Sequence, residues 1–142
     1  MGPFLHQLCE LVGYAKALPM NTGAEAVETA IKAMRRWGYQ EKGIPDCQAS
    51  IITFAGNFHG RTTTIVGFST EQGYREGFGP FTPGFVTVPY GDARAFEQAI
   101  TDRTAGQLSD RHTGLGKVGD QGRIIRGRAV DNPLHAEFSR GA

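Results

Sequence analysis

The sequence predicts an α/β fold with a parallel sheet, on three observations. One short, apolar, β-rich run, Ala49–Phe54 (ASIITF), reads as a buried strand, and a second, Phe85–Pro89 (FVTVP), reads as a further strand. Amphipathic helical patterns alternate with them along the chain. The first hundred residues carry neither an internal repeat nor a linker, so these elements belong to one continuous architecture.

The elements follow in order. Phe4, Leu5, Leu8, Leu11 and Val12 recur at helical spacing and Gly13 stops them, which predicts a helix over 1–13. Tyr14–Met20 is short and mixed, and reads as a strand. In the next helix Ala24, Val27, Ile31 and Met34 step by three and four. Glu28 and Lys32, one turn apart, fall on its opposite, wet face, and the pattern ends near Trp37-Gly38. After the strand at 49–54, Gly56 to Arg61 forms a turn and Thr62 to Gly67 a short helix. Residues 73–84, dense in Gly, Pro and Phe, read as loop. A strand at 85–89 and a helix over Ala93–Ile100 follow.

Beyond about Ala105 the character changes. Leu, Ile, Val and Phe make up about a fifth of the residues there, the level at which a packed core becomes doubtful. Glycines and arginines interrupt every run, and no further element is expected. The division is therefore 1–103 as an ordered part and 104–142 as a divergent, poorly ordered tail.

Bulk composition narrows the function classes. The chain has 142 residues, 39% of them hydrophobic and 20% charged, as an ordinary globular domain does. Fifteen basic and 14 acidic residues give a net charge of +1, which offers nothing to nucleic acid or an anionic membrane. No run approaches a membrane span, and no basic segment precedes an apolar one as in a signal peptide. Cys9 and Cys47 form no CxxC pair and no metal-type spacing with the histidines, so reduced, buried thiols in a cytoplasmic protein are expected. No metal site is predicted.

Two stretches are candidates for chemistry. Thr22 and Glu25 fit a T-x-x-E capping box, and Gly23 lets a ligand approach the backbone at a helix start. A phosphate would sit well on the amides of Gly23 and Ala24. The alternative is a capped helix that binds nothing. Phe58 to Arg61 follows a buried strand, where α/β folds put ligands. An aromatic ring there can cover a flat ligand and a guanidinium can hold a carboxylate. The alternative is a turn with a core phenylalanine and a solvated arginine. Neither a G-x-x-x-x-G-K-[ST] nor a G-x-G-x-x-G motif is present, and His6, His59, His112 and His135 are scattered.

The stretch Leu18-Pro19-Met20-Asn21-Thr22-Gly23-Ala24-Glu25-Ala26-Val27-Glu28-Thr29-Ala30 resembles the ornithine aminotransferase family. So do Arg36-Trp37-Gly38-Tyr39, Gly56-Asn57-Phe58-His59-Gly60-Arg61-Thr62, Gly77-Phe78-Gly79-Pro80-Phe81, Pro83-Gly84-Phe85 and Pro89-Tyr90. These are class III, fold-type-I enzymes that depend on pyridoxal 5'-phosphate (PLP). The resemblance covers about residues 2–103. It implies a partial fold-type-I large domain, three-layer αβα with a mostly parallel sheet, truncated. It further implies that Gly23 and Ala24 bind the cofactor phosphate with Thr22 beside them, and that Phe58 stacks on the pyridine ring. Arg61 would grip the α-carboxylate of ornithine or glutamate. The implied partners are an amino acid and a 2-oxo acid, and the implied assembly is a homo- or hetero-oligomer.

The resemblance also predicts gaps. The family's Schiff-base lysine and the carboxylate that pairs with the pyridinium nitrogen lie downstream of the matched stretch, so no catalytic residue is assigned here. After Ala99-Ile100 the family continues into a buried strand and an E-P-I-x-G-E-type loop; neither is expected from Ala105-Gly106-Gln107-Leu108-Ser109-Asp110-Arg111. Gly114-Leu115-Gly116-Lys117 comes too early to supply the lysine, and Lys16, Lys32 and Lys42 have no better claim. A reading-frame change or gene split near residue 104 would account for this. A complementary chain carrying the rest of the enzyme is one expectation; a non-catalytic binding or dimerisation module, or a remnant without function, are the others. An uncovered sheet edge would then bring marginal stability or association.

Overall fold

A computed structural model of the chain describes residues 1–109. Met1–Pro19 lies in one unit and the chain from Met20 in another. In the first unit, helix α1 (Gly2–Val12) carries a proline in its first turn, where a missing N–H costs nothing. It stops at Gly13, whose left-handed φ of 74° lets its N–H reach the Cys9 carbonyl. The strand expected at Tyr14–Met20 does not form. Nothing in YAKALPM alternates cleanly, and Pro19 has no N–H to give to a ladder.

The second unit runs α2 (Gly23–Gln40), β1 (Ser50–Phe54), α3 (Thr63–Gly67), α4 (Gln72–Arg75), β2 (Phe85–Val88), α5 (Ala93–Ala99) and β3 (Thr104–Gln107). The two apolar runs are strands, as their sequence implies. The helix from Gly23 continues to Gln40, slightly past the expected stop. The stretch read as loop over 73–84 begins with the single turn α4.

The three strands form one parallel sheet in the order β2-β1-β3. The strand β3 corrects the expectation that no further element follows Ile100. Thr-Ala-Gly-Gln has no apolar run to announce it. Its ladder with β1 and the burial of Ala105 make it a strand. Gly106 lets this strand lie against α2, since a Cβ there would collide with the Met34 side chain. The tail from Asp110 on, including Gly114–Lys117, lies outside the described residues.

Layers follow from side-chain alternation along β1. Ile51 packs with Ile31 of α2 and with Ile65 and Phe68 around α3. Phe54, three residues on and so on the other face, stacks 5.7 Å from Phe96 of α5 and meets Tyr90 edge-on at 5.9 Å. Helices therefore cover both faces of the sheet. Ile51 and Ile52 are 0% exposed, each burial worth about 1.5–3 kcal/mol. A second cluster, Ile44, Ala49 and Ala105, closes the far end of α2 with Tyr39 and Met34. Both cysteines are free thiols, but neither is buried as expected: Cys9 is half-buried on α1, and Cys47 is exposed in the loop before β1. Among the described residues no helix is long and apolar enough to cross a membrane.

Strand order also places the crevice. The connection after β1 moves to one neighbour, and the connection after β2 passes back over β1 to the other side. Such a reversal opens a cleft at the carboxyl end of the central strand. The turn Gly56–Arg61 leaves β1 at that end.

Candidate functional site

The start of α2 has an unusual hydrogen-bond economy. Thr22 is extended at φ −138°, and its Oγ1 accepts the Glu25 N–H at 3.2 Å. The Glu25 carboxylate turns back to accept the N–H groups of Asn21 at 2.9 Å and Thr22 at 3.2 Å. The Ala26 N–H already reaches the Thr22 carbonyl. A helix leaves its first N–H groups without acceptors, and this box satisfies those of Thr22 and Glu25. The pair left over is Gly23 and Ala24, which have no acceptor among the described residues. Gly23 is exposed, and a Cβ built on it would meet no heavy atom within 4 Å. The positive end of an 18-residue helix thus lies at an exposed glycine.

The turn after β1 comes to this point. Asn57 is buried, and its amide donates to the carbonyls of Phe54 at 2.6 Å and Phe68 at 3.3 Å, tying both ends of the turn together. The Gly56 N–H donates to Thr70 Oγ1 at 2.9 Å. At Gly60 the chain adopts φ 131°, a region side chains avoid, and crosses α2 closely. A Cβ at Gly60 would lie 3.0 Å from the Ala24 Cβ and 3.2 Å from Ile65 Cδ1. The two stretches picked out separately in the sequence are therefore in contact.

Phe58 is 46% exposed on this turn. The Arg61 guanidinium lies 5.8 Å from its ring centroid, and the Tyr74 ring meets it at 6.3 Å and 69°. Arg61 is exposed and has no carboxylate within ion-pair distance among the described residues. Thr62 caps α3 by accepting the Ile65 N–H at 3.2 Å and donates its own proton to Glu28 Oε1 at 2.5 Å. His59 is half-buried, its ring 5.8 Å from Phe68.

All five residues singled out in the sequence, Thr22, Gly23, Ala24, Phe58 and Arg61, thus belong to one surface. Chemically it offers two amide donors, an aromatic face and a cation. That set suits a flat ring bearing a phosphate together with a carboxylate. Sequence reasoning missed Asn57, Thr62 and Tyr74, which also contact Phe68, Glu28 and Phe58 elsewhere along the chain. It set Glu28 on the wet face beside Lys32. Glu28 is instead half-buried and bonded to Thr62, and its turn-spaced partner Lys32 is exposed without an ion pair to it. A Gly-Asn turn after a buried strand was the available signal for Asn57.

The profile of class-III aminotransferases matches residues 1–115, past the point near 104 where the sequence pattern was expected to stop. The ornithine aminotransferase of Brevibacillus brevis is 58% identical over 105 residues, covering 74% of this chain and 26% of that protein. The ornithine aminotransferase of Toxoplasma gondii, whose structure has partial PLP occupancy at its active site, superposes with a TM-score of 0.72 at 43% identity. It covers 75% of this chain and 25% of its own. The acetylornithine aminotransferase of Elizabethkingia anophelis superposes with a TM-score of 0.55 at 46% identity, covering 75% and 26%. This chain spans about a quarter of the length of the relatives it matches.

Proposed function

Because this chain belongs to the class-III aminotransferase family, we propose that it forms the phosphate-cradling and carboxylate-holding part of a PLP-dependent ornithine δ-aminotransferase site. The observation that carries the reading is the crossing of Gly60 over Ala24. It joins the two unbonded amides of α2 to Phe58 and Arg61.

In this reading Gly23 and Ala24 donate to the cofactor phosphate, and Thr22 holds them in place through the capping box. The half-exposed ring of Phe58 covers one face of the pyridine and keeps water from it. Arg61 binds the α-carboxylate of ornithine or glutamate through paired hydrogen bonds. Anchoring that end leaves the distal δ-amine directed at the cofactor. The cofactor, when bound, supplies an electron sink for the substrate carbon that loses its proton. Amino transfer would run from ornithine to 2-oxoglutarate.

Among the described residues, no lysine stands at the cradle to carry that proton. Lys42 donates to the Thr104 carbonyl at 2.8 Å, beyond the far end of α2, about 27 Å from Gly23 at 1.5 Å per residue. Lys32 is exposed midway along the same helix, and Lys16 belongs to the other unit. This absence among the described residues supports a second reading, a cofactor-binding or dimerisation module that does not catalyse alone. In either case the chain acts with another polypeptide or further sequence, as a homo- or hetero-oligomer.

PLP titration of the whole chain, followed by tryptophan fluorescence, tests the cradle. Saturable binding that inorganic phosphate competes away, and that borohydride does not trap, is the expected result. Binding that is indifferent to phosphate would overturn it. Transaminase activity on adding a polypeptide with the missing lysine would separate the enzymatic reading from the binding module.

A further inference from the structure

We infer that Glu28 is a positioning residue for Arg61, acting through Thr62; the inference rests on the carboxylate-binding reading of Arg61 above. A hydroxyl has one proton to give, and an ionised carboxylate can only accept. Thr62 Oγ1 takes the Ile65 N–H and sends its proton to Glu28 Oε1, so both of its roles are filled and its rotor is fixed. Both residues are half-buried, which strengthens a charge-assisted bond between them.

The position of this bond matters as much as its existence. Ala24 and Glu28 stand four apart on α2, hence on one face, about 6 Å along the axis. Gly60 and Thr62 stand two apart on the crossing chain, a span of about 7 Å. Gly60 seats against Ala24, and Thr62 bonds Glu28. The chain is thereby pinned to the helix on both sides of Arg61. The residue between the pins has its guanidinium over Phe58, facing the place proposed for the substrate carboxylate. Removing the Glu28 acceptor frees one side of the bracket. Ala24, which belongs to the phosphate cradle, stays where it is.

The test uses ring-current shifts. Held over Phe58, the Arg61 side-chain Nε–H resonates away from that of a solvated arginine. In Glu28→Ala this shift is expected to collapse while the methyl shifts of Ile31 and Ile51 stay in place. Glu28→Gln, which keeps an acceptor oxygen, and Thr62→Ser, which keeps the hydroxyl, should each retain the shift. Glutarate affinity at saturating PLP should fall about tenfold in Glu28→Ala, the effect of one hydrogen bond, with PLP affinity within about twofold of the unchanged chain. An Arg61 shift unaltered in Glu28→Ala overturns the positioning role, whatever the chain binds. A shift that collapses as expected, in a chain that takes up no PLP, overturns the cofactor reading and leaves the positioning intact.

Discussion

Helices α2 and α5 both start with a side chain that caps them, yet the two caps differ in charge. At α5 the cap is Asp92, whose Oδ1 accepts the Ala95 N–H at 2.9 Å. Its negative charge sits where a phosphate would have to go. At α2 the cap is the neutral Thr22, and the acidic member of the box, Glu25, is folded back onto Asn21 and Thr22. The positive end of the helix stays open in front of Gly23. A capping motif in a sequence therefore says that a helix begins, and no more. The neighbour decides the rest: the turn carrying Phe58 and Arg61 crosses α2 at Ala24, whereas α5 is met by Phe54 of β1 against Phe96.

The largest expected effect breaks that neighbour relation outright. Gly60→Val puts a branched side chain at φ 131° and into Ala24. It should lower stability by about 3 kcal/mol in urea denaturation and abolish saturable PLP binding. Retained binding would mean the crossing is unimportant. Next, Gly23→Asp puts a carboxylate at the start of α2, one position inside its Thr22 cap. A Cβ there meets open space, so the helix should gain about 0.5 kcal/mol from the favourable charge, while PLP affinity falls about a hundredfold through repulsion of the phosphate. Opposite signs in the thermal melt and the titration mark an anion site; equal signs argue against one.

Smaller changes sharpen the contrast. Thr22→Ala should cost about 1 kcal/mol in urea denaturation and weaken PLP binding several-fold, since the amides of Gly23 and Ala24 lose their frame. Asp92→Asn keeps a capping oxygen at α5 without the charge. It should change stability by a few tenths of a kcal/mol and PLP affinity by less than about twofold. A large effect of Asp92→Asn on PLP titration would relocate the site.

What could be read in the sequence divides along the same line. The helix α2 and the strand β1 were legible because burial on one face, or on both, writes a periodic apolar pattern, and β2 through its β-branched run, although Val86 and Thr87 are exposed. The T-x-x-E box told where α2 begins. Strand β3 was hidden because Thr-Ala-Gly-Gln has no strand character of its own; its neighbour β1 imposes it. The reverse error at Tyr14–Met20 came from residues that tolerate an extended backbone but find no partner. In the site, Thr22, Gly23, Ala24, Phe58 and Arg61 were each visible as residue types suited to a ligand. Their contact was not visible, nor was the Glu28–Thr62 bond, because nothing local records a partner 34 residues away. Lys32 and Glu28 satisfied a helical charge rule, yet Thr62 claims Glu28.

The order β2-β1-β3 also sets a timetable for assembly. The central strand is made first on the ribosome and the strand that closes its second edge is made last. Ser50 must wait for the carbonyl of Arg103, 53 residues later, before its N–H is satisfied. Pairing between β1 and β2 closes a shorter loop and should come earlier. Until Thr104–Gln107 arrives, the nascent chain presents the bare edge of its most apolar strand, the interval in which a chaperone or another nascent chain has most to gain by pairing with it.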